Sequence, residues 1–284
     1  MTIYREYDQA ALDAQYNCRA MVLEHPRHIE GWARDSEAVR TARPDARLDL
    51  AYGPGERERL DFFPAQPGAP LHLFIHGGYW RALDKANFSY PSAAFASVGV
   101  AYAAINYPLA PRASVDVIVA SVRRALAWLI AHAGELGVDP AGISLSGHSA
   151  GGHLTAMALA DPALPRGAVR GAVPISGLYD LEPIRLSYLN GELGLDAAAA
   201  RRNSPIHAAP SVRCPVLLAV GGHESPEFHR QQESFADAWR EQGAGMETVI
   251  SGGDDHFSIV GHLGDPGSAL FRAVTRLALG EASA

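Results

Sequence analysis

Short apolar runs bounded by glycine, proline or polar clusters recur along this chain, and longer segments of helical period separate them. The run Leu71 to Ile75 ends at His76, Gly77 and Gly78, with Tyr79 and Trp80 next. Runs of this length stopped by glycine read as buried strands. The same pattern predicts strands at 98–107, 142–149, 167–177, 214–222 and 246–253. Between them, residues 112–132 carry Val115, Ile118, Val119, Val122, Leu126 and Leu129 on one helical face, with Gly134 and Gly137 as the stop. Helices are also expected after Ser149, over 225–243, and from about Asp265. LDLAYG and ERLDFF flank GPGE at 48–63 and read as a hairpin.

Alternating strands and helices imply an α/β class with a mostly parallel central sheet and helices on both faces. Two stretches stand outside the alternation. The first 45 residues are polar with helical spacing (Tyr4, Tyr7, Ala11, Leu12, Tyr16) and read as an N-terminal helical extension. Residues 181–208 read as an insertion between a strand end and the next strand, where a cap over a site would sit. One α/β domain over 1–284 is expected, with these two appendages.

Composition narrows the function classes. The chain has 284 residues, 48% hydrophobic and 19% charged, an ordinary globular balance. A net charge of −7 disfavours a nucleic-acid partner. Cys18 and Cys214 are far apart, so neither a disulfide framework nor a zinc knuckle is supported. The first residues carry charge where a signal peptide needs an apolar core. The most apolar helical segment is interrupted by Arg123 and Arg124 and reads as too short and too charged to span a membrane. The expectation is a cytoplasmic protein acting on a small molecule, with no membrane or nucleic-acid partner and with a homodimer left open.

The strongest chemical signal is GHSAG at 147–151, a G-x-S-x-G motif with an apolar strand before it and a helical run after it. A serine on so tight a turn projects above the sheet at a helix N-terminus, and small neighbours keep adjacent elements from clashing. Ser149 is therefore the candidate nucleophile. It needs a base. In this architecture the acid and then the histidine follow the serine along the chain. His256 in GGDDHF lies after the last strand and is the candidate base, with His262 second; His153, four residues into the elbow helix, reads as packing. Glu224 follows the strand at 214–222 and is the candidate acid. Asp254 and Asp255 compete, but neighbours in sequence rarely face one another; Asp180 is a weaker choice. Backbone N–H groups near Gly78 and Tyr79, joined by that of Ala150, are expected to form an oxyanion hole, each donor lowering the barrier by ~3–4 kcal/mol.

The motifs HGGYW (76–80), INYPLAP (105–111), GHSAGGHL (147–154), ISGLYDL (175–181), ESPEFHRQ (224–231) and DDHF (254–257) span most of residues 48–260. Together they resemble the α/β-hydrolases that include the kynurenine formamidases, which carry HGG-x-W where lipase-like esterases carry HGGG. DAQYN (13–17) resembles that family's leading helix. The resemblance implies an α/β-hydrolase fold, a Ser149–Glu224–His256 triad, and hydrolysis of an aryl formamide such as N-formyl-kynurenine. It also admits a carboxylesterase of short acyl or aryl esters. The family's acid is commonly aspartate, so Glu224 departs from the pattern. Tyr79 and Trp80 become candidate walls for an aromatic substrate, with Trp80 alternatively packing in the core behind the oxyanion loop, and His76 and Gly77 candidates for ordering the loop. No metal and no organic cofactor is implied.

Overall fold

The computed structural model describes residues 1–211 and 213–281. Eight strands form one sheet: β1 (Arg47–Ala51), β2 (Arg59–Phe63), β3 (Ala69–Ile75), β4 (Ala101–Ile105), β5 (Val138–His148), β6 (Gly171–Ile175), β7 (Val216–Gly221) and β8 (Met246–Ser251). Their order is β1-β2-β4-β3-β5-β6-β7-β8. β1 and β2 form the expected hairpin, and β2 also runs antiparallel to β4. Every pair from β4 to β8 is parallel.

The helices in chain order are α1 (Gln9–Tyr16), α2 (Cys18–Met21), α3 (His25–Ala42), α4 (Pro91–Ser97), α5 (Val115–Leu136) and α6 (Ala150–Leu159), then α7 (Glu182–Leu186), α8 (Asn190–Leu193), α9 (Ala197–Arg202), α10 (Pro226–Arg240), α11 (Ser258–Gly261) and α12 (Ala269–Leu279). α5, α6 and α10 pack on the sheet, and α4 and α12 cover it from the other side. β3, β4 and β6 carry almost only buried residues, as strands covered on both faces must. β8 is one of the two edge strands, and its middle is exposed.

Three expectations need adjustment. α4 was not anticipated, because PSAAFAS offers small residues rather than an apolar stripe; the strand after it is accordingly shorter than 98–107, since Gly99 turns the chain at φ +78°. α5 does not stop at Gly134. It starts where Ser114 Oγ accepts from Val117 N and ends where Gly137 takes the left-handed conformation that favours glycine. At 22 residues α5 is long and apolar enough, by length and composition, to cross a membrane, so the expectation that it is too short does not hold. It packs on β5 and α6, and Arg123 and Arg124 bond to the Met157 carbonyl and Glu58.

The appendages are tied to the sheet by buried polar contacts. Tyr16 is fully buried and donates to Glu227 Oε2 of α10 at 2.7 Å. Trp32 of α3 packs on Phe88 and Phe257. Lys85, almost fully buried, donates to Asp49 and Asp61 at 2.7 Å each, and Arg40 of α3 pairs with the other oxygen of Asp61. Residues 181–208 fold as α7, α8, α9 and a 3-10 turn at Pro205–His207.

Candidate active site

The turn between β5 and α6 holds Ser149 at φ 57°, ψ −119°, outside the usual regions for a residue with a side chain. Its neighbours explain how the turn survives. A Cβ on Gly147 would stand 2.2 Å from the Gly151 carbonyl oxygen, and one on Gly151 would stand 2.0 Å from that of Ile75. Only glycine fits either place. The Ser149 N–H donates to the Ile175 carbonyl at 2.8 Å, which pins the strained residue to β6.

Three side chains from three loops meet here. His256 Nε2 lies 3.1 Å from Ser149 Oγ, and His256 Nδ1 lies 2.6 Å from Glu224 Oε2. The other carboxylate oxygen, Oε1, accepts from Ser176 Oγ at 2.5 Å and from the Gly221 N–H at 2.8 Å. Burial disfavours the imidazolium, but the Cys18 sulfur and the Glu224 carboxylate favour it more, and the His256 pKa stands well above the ordinary 6.5. Such a chain can take a proton from the serine and hold the resulting cation.

The competing carboxylates are occupied elsewhere. Asp254 accepts from Ser251, Ser258 and His262. His262 is thereby paired with Asp254 and is not at Ser149. Asp255 accepts from the N–H groups of Phe257 and Ser258, turning the loop that carries His256. Asp180 accepts from the Glu182 N–H.

After β3 the chain runs against the elbow. A Cβ on Gly77 would lie 2.8 Å from the His148 carbonyl oxygen and 3.1 Å from Ser149 Cβ, so the first glycine lets the loop approach the serine. Gly78, Tyr79 and Trp80 then take positive φ values of 95°, 48° and 58°. Ala150 is the first residue of α6, where a backbone N–H has no intrahelical acceptor. His76 orders the loop: its ring stacks on Tyr107, and Tyr107 Oη donates to the His76 carbonyl at 2.7 Å. Burial pushes the His76 pKa down to about 4, so the ring is neutral.

Of the two places open to Trp80, substrate wall or core behind the loop, the structure gives it the core. It is fully buried, and its Nε1–H donates to His153 Nδ1 at 3.1 Å, while His153 Nε2 bonds to the Asn203 carbonyl. The left-handed turn that leaves Tyr79 on the pocket wall sends Trp80 behind the loop. His153 is a packing residue, as its position implied.

Ser149 and His256 lie in a pocket of about 230 Å³. Trp32, Tyr79, Tyr188 and Phe257 supply aromatic walls, and Cys18 lies against Tyr79 Oη at 3.3 Å. Both appendages thus build the pocket. Arg81 of the loop pairs with Glu192 of α8, and both line it. Sequence reasoning missed Cys18, Trp32, His148 and Ser176; His148 and Ser176 lie inside GHSAG and ISGLYDL, but neither motif names a role for them. Among the described residues, no group of three or more His, Cys, Asp or Glu side chains is arranged to hold a metal ion.

Known proteins decide the family. The BD-FAE family model matches residues 62–162. Kynurenine formamidase of Danio rerio is 31% identical over 263 residues, covering 88% of this chain and 87% of that protein. The chain belongs to the kynurenine formamidase-like α/β-hydrolases. Kynurenine formamidase of Salmo salar is 34% identical over 77% of each chain. Among solved structures, a candidate thioesterase from Silicibacter sp. tm1040 superposes with a TM-score of 0.85 at 36% identity, covering 93% of this chain and 98% of that one. The protein is accordingly a hydrolase with the α/β-hydrolase fold.

Proposed function

We propose that this hydrolase removes a small acyl group, formyl first, from an aryl amide of the N-formyl-kynurenine kind through a Ser149–His256–Glu224 triad. The observation that carries the reading is the place of Ser149 Oγ, 3.1 Å from His256 Nε2 in a pocket walled by Trp32, Tyr79, Tyr188 and Phe257. Flat aromatic walls suit an aryl ring. The names of the two fish relatives support the same substrate class.

In this reading His256 takes the Ser149 proton as the oxygen attacks the carbonyl carbon. The oxyanion is held by the N–H groups of Gly78 or Tyr79 and of Ala150. His256 then gives its proton to the leaving amine nitrogen as the C–N bond breaks. Water, deprotonated by the same imidazole, attacks the acyl-enzyme and releases formate. No cofactor enters either half.

A second reading, a carboxylesterase or thioesterase of short acyl groups, uses the same atoms with a different leaving group. The resemblance to a candidate thioesterase favours it. The deciding experiment is kcat/KM for N-formyl-L-kynurenine beside p-nitrophenyl esters of increasing acyl length on one preparation. A formamide preferred about tenfold or more over the acetate ester, despite its poorer leaving group, supports the amidase. An inert formamide with rapid short esters makes the protein an esterase. In either case Ser149→Ala must abolish turnover and fluorophosphonate labelling.

A further inference from the structure

His148 sits between Gly147 and Ser149, and neither step of the mechanism above uses it. Its Nε2 lies 2.8 Å from the carbonyl oxygen of His256, and its ring stands 4.7 Å from the His256 ring at 46°. It is 3% exposed. A carbonyl only accepts, so the Nε2 must carry the proton and the ring is the Nε2–H tautomer. Nδ1 is then a bare acceptor, and it is buried without a partner. An unpaired buried acceptor costs free energy, so the ring is not there for its own stability.

We propose that His148 is a positioning residue for the base: its Nε2–H, donated to the His256 carbonyl, holds the His256 imidazole over Ser149. This rests on the triad reading. The need for such a holder follows from geometry. The bond from Glu224 to His256 Nδ1 fixes one point of the imidazole, not its plane. Phe228 bounds the ring on one side at 4.7 Å, and His148 bounds it at the same distance. The His148 bond also fixes the main chain from which the imidazole hangs. Because His148 directly precedes Ser149, nucleophile and base are tied by one residue. A neutral ring supplies the Nε2–H donor without adding charge beside the base. Burial and the neighbouring His256 charge push the His148 pKa well below the ordinary histidine value, so no second imidazolium forms beside the base.

The test compares His148→Gln, His148→Asn and His148→Leu. Glutamine places an amide N–H near the Nε2 position; asparagine places its amide near Nδ1; leucine offers no donor. With the leucine and asparagine variants, kcat should fall by about tenfold or more while KM stays within about twofold. Glutamine should recover kcat to within about threefold of the parent. The low-field proton resonance of the His256–Glu224 hydrogen bond should weaken in the leucine variant and persist in the glutamine one. A leucine variant with parental kcat, or a glutamine variant as slow as the leucine one at equal Tm, would overturn the proposal and leave His148 a space-filler. If the leucine variant does not fold, the glutamine–asparagine contrast decides. Failure of the triad reading would show separately, as labelling that survives Ser149→Ala.

Discussion

Ser176 Oγ stands 2.5 Å from Glu224 Oε1, the carboxylate oxygen that His256 does not use. That contact shows how a glutamate serves at the position where the family resemblance implies an aspartate. The longer side chain reaches His256 with Oε2 because Oε1 is anchored at the ends of two strands, by Ser176 after β6 and by the Gly221 N–H of β7. Ser176 itself has φ 50°, a strained placement for serine. Ser176→Ala should leave Oε1 with one donor and lower kcat about fivefold to tenfold with KM nearly unchanged. Steady-state kinetics at saturating substrate checks it. Glu224→Gln should cost orders of magnitude more, because the imidazolium then has no counter-charge.

The pH dependence follows from His256 and the two groups that favour its charge, Cys18 and Glu224. The folded-state pKa of His256 is raised, so the active, unprotonated base is lost as pH falls through a value above 6.5. The acid limb of kcat/KM should therefore have its midpoint above 6.5 in the parent enzyme. In Glu224→Gln the carboxylate no longer favours the imidazolium while burial still opposes it. The residual activity should then show an acid limb moved to lower pH. A limb that stays in place would mean that Glu224 does not set the charge of the base.

Asp254 offers the opposite expectation. Its oxygens already accept from Ser251, Ser258 and His262. Asp254→Asn should leave kcat within about twofold of the parent and lower Tm, since the buried Asp254 carboxylate is bonded to Ser251, Ser258 and a partly exposed His262. A loss of activity as large as that of Glu224→Gln would move the acid role to 254.

The candidate site was legible because each part is local. G-x-S-x-G, the strand before it and the helix after it lie within some twenty residues, and His256 and Glu224 each follow a readable strand. Ser176, His148 and Cys18 were not legible, because their roles come from contacts across long stretches of chain; Ser176 and Glu224, for example, are 48 residues apart. Trp80 shows the limit from the other side. The aromatic pair in HGGYW gives no sign of which ring faces the pocket. That is fixed by the φ values of Gly78, Tyr79 and Trp80, set by how the loop closes on Ala82 and Ala110.

Trp80→Phe tests that assignment. It keeps a ring in the core and removes the Nε1–H donated to His153. His153 Nδ1 is then left buried without a donor, at a cost of about 1–3 kcal/mol. Chemical denaturation should show that loss, with KM for any aromatic substrate within about twofold of the parent. A large rise in KM without loss of stability would return Trp80 to the substrate wall.

Arg81 and Glu192 make the last prediction. Arg81 belongs to the loop proposed to supply the oxyanion donors, Glu192 belongs to α8 of the cap, and both line the pocket. The side chains are 28% and 48% exposed, so the pair is too wet to contribute much stability. Its effect should instead be on the loop's position, because it joins the cap to that loop. Arg81→Gln and Glu192→Gln should each lower kcat/KM by a similar factor of about three to ten, with Tm nearly unchanged. The double variant should be no worse than either single one, since removing one partner already releases the other. High salt should shrink the difference between parent and variants, because an exposed pair is screened. Two losses that multiply in the double variant would show that the residues act independently, Arg81 on the substrate and Glu192 on the fold of the cap.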